Sequence, residues 1–174
     1  KALLSDLGDL KARMVSAAFL IQDRLGTATR EYCLRAKELL STEKANDDAK
    51  ATLALLDLKL GLSDVDFAIL NKGQKWANGI GLSLKKYDSP VLESAVGTLH
   101  FYDKKFQRVI LRARQHLSIA NQAVDEARYY HELTFSSGIT PENHTVAVQN
   151  CESSLRVFSE QALQVAAQIN SLTK

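Results

Sequence analysis

The side chains able to do chemistry in this sequence are His100, His116, His131 and His144, the cysteines Cys33 and Cys151, a basic run between positions 72 and 114, and aromatic residues gathered near His131. A di-iron helical protein needs paired Glu-x-x-His, but Glu126 stands five residues before His131, which puts the two on different helix faces. Cys-x-x-Cys, Cys-x-x-Cys-His, Gly-x-x-x-x-Gly-Lys-Ser/Thr, Gly-x-Gly-x-x-Gly after a strand and Gly-x-Ser-x-Gly are all missing. The sequence holds no catalytic constellation, so an enzyme, a metal and a cofactor are not expected. His131 and His144 fall near one level of a helical pair, but a metal would need further ligands such as Glu132 and Glu142. The acidity of those two is equally explained by a surface position and a helix start. His116, in a seam of alanines, reads as a hydrogen-bonded core histidine or one tilted to the boundary.

Three recognition surfaces are suggested instead. Residues 72–114 hold nine basic side chains (Lys72, Lys75, Lys85, Lys86, Lys104, Lys105, Arg108, Arg112, Arg114) against Asp88, Glu93 and Asp103. With Trp76, Phe101 and Tyr102 nearby, a band centred on Lys72, Lys104 and Arg108 would attract a small anionic ligand, lipid headgroups or an acidic protein. Lysine stems covering apolar surface are the commoner use of such a face. Nucleic acid is not an expected partner, since its binding domains have a pI above about 9 and this chain stands at 8.5. The second surface is Tyr129, Tyr130, His131 and Phe135 with the Ser136-Ser137-Gly138 turn and His144; aromatics there suit either recognition or a plug for a bundle end. The third is the glycine-containing stretch from Asn71 to Gly81, with Trp76 inside it, where a helix break would leave a small-ligand cavity.

The elements that position these residues follow from composition and period. Leucine (26) and alanine (21) dominate the 174 residues, and only two prolines occur, a helix-former's composition. Ser89-Pro90 and Thr140-Pro141 are caps followed by proline at the first helical position, and Asn46 caps a further start. Helices are therefore expected over about 2–43, 46–86, 89–134 and 140–173. The last shows the cleanest seam: Val148, Cys151, Leu155, Phe158, Ala162, Val165, Ile169 and Leu172 alternate steps of three and four. The third segment places Leu99, Tyr102, Phe106, Val109 and Ala113 on one continuous seam. Breaks are expected near Gly61-Leu62-Ser63 and Asn78-Gly79-Ile80-Gly81.

Four such helices with short connections form one all-α domain over residues 1–174, an elongated antiparallel up-down-up-down four-helix bundle. Its length would be about 50 to 65 Å at ~1.5 Å per residue. In this arrangement Cys33 and Cys151 stand at matching height on neighbouring helices, which allows a disulfide and with it maturation outside the cytosol. Free buried thiols are the alternative. Asn143-His144-Thr145 is an N-glycosylation acceptor pointing the same way.

In outline the expected rod is similar to the four-helix sensory domains of bacterial chemoreceptors and to elongated helical surface proteins of parasites such as trypanosomes; the similarity is one of architecture. The expectation is a non-enzymatic extracytoplasmic domain, at the cell surface or in the periplasm. It would be a fragment of a larger precursor or a membrane-anchored protein whose flanking segments carry the anchor, with an unidentified protein or small anionic ligand as partner and homodimerisation open. The alternative is a cytoplasmic or secreted adaptor or effector that binds a partner protein through a bundle groove.

Overall fold

The two proline-marked caps form as their sequences require. Ser89 Oγ accepts the Leu92 N–H at 3.2 Å, and Thr140 Oγ1 accepts the Asn143 N–H at 3.3 Å, each with proline in the first turn. They open two of seven helices in the computed structural model, which describes residues 2–41, 47–74 and 85–172. In chain order these are α1 (Ala2–Arg24), α2 (Arg30–Leu40), α3 (Asp47–Leu60), α4 (Asp64–Gln74), α5 (Pro90–Thr98), α6 (Lys104–Leu133) and α7 (Pro141–Asn170), with a 3-10 turn at Leu99–Phe101. The protein is all-helical, and no strand occurs among the described residues.

Of the four expected segments only the last is one uninterrupted helix. The first divides at Gly26, whose φ of 66° takes the chain out of helical conformation. Thr29 then caps α2 by accepting the Tyr32 N–H at 3.1 Å. The second breaks at Gly61–Ser63, as its glycine suggested, and Ser63 restarts α4 with a 3.1 Å bond from the Asp66 N–H. Helix was expected to continue to residue 86, but Lys85–Ser89 is not helical. The expected cap at Asn46 and the expected break at Asn78–Gly81 lie outside the described residues. The third segment turns at Leu99–Asp103, where Asp103 accepts the Phe106 N–H at 2.8 Å and starts α6 afresh.

Cross-helix bonds give the directions. His116 Nδ1 donates to Gln161 Oε1 at 2.7 Å and Cys151 Sγ donates to the Ala127 carbonyl at 3.4 Å, so α6 and α7 are antiparallel along their length. Ser159 Oγ donates to the Ala18 carbonyl at 3.1 Å and Lys11 Nζ to Asn170 Oδ1 at 3.2 Å, so α1 is antiparallel to α7 on its other side. Glu93 stands 4.0 Å from Arg114, and α5 runs back along α6 from the turn they share. Since α5 also packs against α1, the helices α1, α7, α6 and α5 close a ring around Leu10, Met14, Ile110, Phe158 and Leu163, all buried. Each such side chain contributes ~1.5–3 kcal/mol on leaving water. With 30 residues each, α6 and α7 are about 45 Å long, shorter than the 50–65 Å expected of unbroken segments.

The remaining helices gather at the bend after α1. Lys59 of α3 is buried and pairs with Asp23 of α1, and it donates to Asn71 Oδ1 of α4 at 2.6 Å. Asn71 Nδ2 in turn donates to the Ala28 carbonyl at 2.7 Å. Arg30 donates to the carbonyls of Leu60 (3.0 Å) and Leu62, pairs with Asp64 at 2.8 Å, and lies 4.9 Å over the Phe67 ring. These bonds satisfy the carbonyls that the α3–α4 break leaves open.

Candidate functional site

The long α6 carries a different surface at each end. At its upper end, where it joins α7, Thr134 Oγ1 donates to the His131 carbonyl at 2.6 Å, and Gly138, at φ 89°, permits the turn into Thr140. This short, capped connection fixes the aromatic group expected there. Tyr129 and Tyr130 meet edge-on with ring centroids 5.4 Å apart, and His131 meets Phe135 edge-on at 5.0 Å. Tyr129 is 59% exposed and Phe135 69%, with Val146 of α7 exposed beside the connection. In each pair one ring, Tyr129 or Phe135, faces solvent, and its half-buried partner, Tyr130 or His131, fixes it edge-on. His144 and Asn143 are exposed in the first turn of α7, and Thr145 Oγ1 donates to the Pro141 carbonyl at 3.0 Å. Among the described residues no group of three or more His, Cys, Asp or Glu is arranged to hold a metal.

The lower end of α6 holds Lys104, Lys105, Arg108 and Arg112, all exposed, next to exposed Phe101 and Tyr102. The basic band is not continuous as expected. Lys72 sits on α4 beside Asn71, which reaches Ala28 at the α1–α2 bend, and Lys86 is paired with Asp125 at 2.6 Å. Asp125 lies 21 residues up α6 from Lys104, about 30 Å along the axis. Lys72 and Lys86 thus belong to the upper half, whereas Lys104 and Arg108 mark a separate lower cluster. Trp76 lies outside the described residues.

Both cysteines are free thiols. Their expected matching height assumed a straight helix from 2 to 43. The break at Gly26 instead sets Tyr32 against Ser159, eight residues along α7 from Cys151, about 12 Å. Cys151 faces the Ala127 carbonyl of α6, while Cys33 lies near Lys59 and Asp23. Burial pushes both thiols above their ordinary pKa, against thiolate formation. His116 is half-buried at the boundary of the core and makes the hydrogen bond expected of it, to Gln161.

Two polar features escaped the sequence reading. The Asp23–Lys59–Asn71 cluster joins residues 36 and 12 positions apart, which no local spacing reveals. Asn121 grips the Tyr87 backbone from both sides, accepting its N–H at 2.9 Å and donating to its carbonyl at 3.0 Å. The Tyr87 ring then reaches Phe158, with centroids 6.0 Å apart. Beside this grip a groove of about 1070 Å³ runs between Tyr87–Glu93 and the Leu111–Asn121 face of α6. Two of its polar side chains are engaged within the fold, Asn121 with Tyr87 and Arg114 with Glu93. Compared with known proteins, the chain matches no family, no curated protein and no solved structure.

Proposed function

We propose that this chain is a non-enzymatic, extracytoplasmic helical-bundle domain of a membrane-anchored cell-surface or receptor protein, acting in ligand sensing or surface recognition through the upper end of α6 and α7. In this reading the up-down-up-down bundle consists of α1, α5, α6 and α7, and the α2–α4 corner braces one side. The observation that carries the reading is the aromatic group of exposed Tyr129 and Phe135 backed by half-buried Tyr130 and His131, held on a capped, 45 Å helical pair. A rigid pair that holds aromatic rings out in water loses little conformational entropy on binding. The chain's first helix starts, and its last helix ends, at the opposite end of the bundle, which suits anchoring there. No helix among the described residues is long and apolar enough to cross a membrane, so an anchor would lie in flanking segments or a lipid. Glycosylation at exposed Asn143 fits the same location.

A photo-reactive benzoylphenylalanine in place of Phe135, in the full-length protein on intact cells, tests this. It is expected to cross-link to a component outside the cell, and the same probe in place of exposed Leu34 on α2 is not. Equal yields from both positions, or none from Phe135, would overturn recognition by the upper end.

A further inference from the structure

The lower end of α6 contradicts the rules by which helices are normally charged. Its first turn holds Lys104 and Lys105 and no acidic residue, although the positive end of the helix dipole disfavours cations there. Lys104, Arg108 and Arg112 then follow at four-residue steps, each bringing like charges together. All are exposed, and none is in an ion pair among the described residues. Asp103, the nearest acid, is occupied as the cap that accepts the Phe106 N–H. Local choices that work against the helix are expected where something outside the fold compensates them.

What lies beside the cations narrows what that is. Phe101 is 77% exposed at the tip of the α5–α6 turn, with the His100 ring tilted against it at 3.9 Å between centroids. Tyr102 stacks on Phe106 at 4.5 Å while still 40% exposed. The 3-10 turn and the Asp103 cap hold this apolar prong in place. Cations ringing a projecting phenylalanine and a tyrosine match a bilayer interface, where aromatic rings sit at headgroup level and lysine and arginine meet anionic lipid. The α7 C-terminus lies at the same level, because Asn170 meets Lys11 and α7 is antiparallel to α6.

We propose that the α5–α6 turn and the first turns of α6 form a docking surface for an anionic bilayer, with Phe101 inserting among the headgroups and Lys104, Lys105 and Arg108 neutralising lipid phosphates. The proposal deepens the membrane-anchored reading by naming what the lower end faces. Surface labelling of the full-length protein on cells tests that reading, and vesicle binding by the 174-residue chain tests this one, so either fails without the other.

The test is flotation of the chain with vesicles of 30% phosphatidylglycerol in phosphatidylcholine, and with phosphatidylcholine alone, at low and high salt. Binding is expected to the anionic vesicles only and to weaken steeply with salt. The triple change Lys104→Glu, Lys105→Glu and Arg108→Glu is expected to weaken it at least about a hundredfold, each cation being worth roughly fivefold at such a surface. Phe101→Ser, with helicity unchanged by circular dichroism, is expected to weaken binding several-fold, while Leu34→Ser leaves it intact. Equal binding to both vesicle types, no effect of the triple change, or binding to a DNA duplex with none to vesicles would overturn the proposal.

Discussion

Along α6 and α7 the buried positions are mostly alanine, valine, leucine, isoleucine and phenylalanine, joined on α7 by Ser154, Ser159 and Asn170, with His116 and Gln161 as a half-buried polar pair. At the corner where α1 to α4 meet, the same core surrounds a buried lysine paired with Asp23 and Asn71, and an arginine closes the broken helix ends. The first region takes its shape from a repeating apolar pattern, so its helices are long and unbroken. The second takes its shape from a few directional bonds between residues far apart in sequence, so α2, α3 and α4 are short and the chain turns between them. Continuous packing tolerates a missing hydrogen bond, whereas the corner depends on each charge having its partner.

Single substitutions separate the two modes. Phe158→Ala should have the largest effect, lowering unfolding free energy by about 4 kcal/mol in urea titration, because the buried ring leaves a cavity and frees Tyr87. Asp23→Ala should cost about 3 kcal/mol by stranding the buried Lys59 charge, whereas Asp23→Leu with Lys59→Met should restore most of it. If the double variant were as unstable as the single, the corner would be held by packing rather than by charge. Tyr32→Phe should cost about 1 kcal/mol, since the phenol donates to Ser159 at 2.7 Å while Ser159 keeps its bond to Ala18. Burial raises the Tyr32 pKa, so the folded state holds the phenolic proton more tightly than the unfolded chain. Stability is then fully present below the ordinary phenol value of about 10 and is lost as pH rises above it. The Tyr32→Phe variant should show a shallower alkaline loss in the same titration. Smallest of all, Phe135→Ser on the exposed upper end should change stability by less than about 0.5 kcal/mol. A larger change would mean that Phe135 plugs the bundle end rather than presenting a surface.

The same contrast explains how much was legible in the sequence. The α7 seam, the Ser89-Pro90 and Thr140-Pro141 starts and the Gly61 break are local signals, and each lies where it was read. The reversal at Leu99–Asp103 was hidden because Leu99, Tyr102 and Phe106 keep helical spacing straight through it. Its one local mark was Asp103 placed three residues before Phe106, a cap signal outweighed by the period. The bend after α1 had Gly26 and Thr29 as a stop and a start, in a stretch where the seam thins to Ala28 between Ile21 and Leu39. Lys59, flanked by Leu58 and Leu60, reads as a solvated charge until Asp23 is brought to it by the bend. Of the candidate recognition residues, Tyr129, Tyr130, His131 and Phe135 lie in two ring pairs at the α6–α7 connection, the place their spacing before the Ser136-Ser137-Gly138 turn suggested. The basic band was overdrawn because sequence proximity joined Lys72 and Lys86 to a cluster that the α5–α6 turn sets apart.

The central claim is that the upper end of α6 and α7 faces outward and the lower end faces a membrane. Short epitope tags in the full-length protein, one between Ser137 and Gly138 and one beside Tyr102, measure this most directly. Antibody is expected to label the first tag on intact, unpermeabilised cells and to label the second far more weakly, with both equal after detergent. Labelling of neither tag without permeabilisation, or stronger labelling at Tyr102, would contradict it.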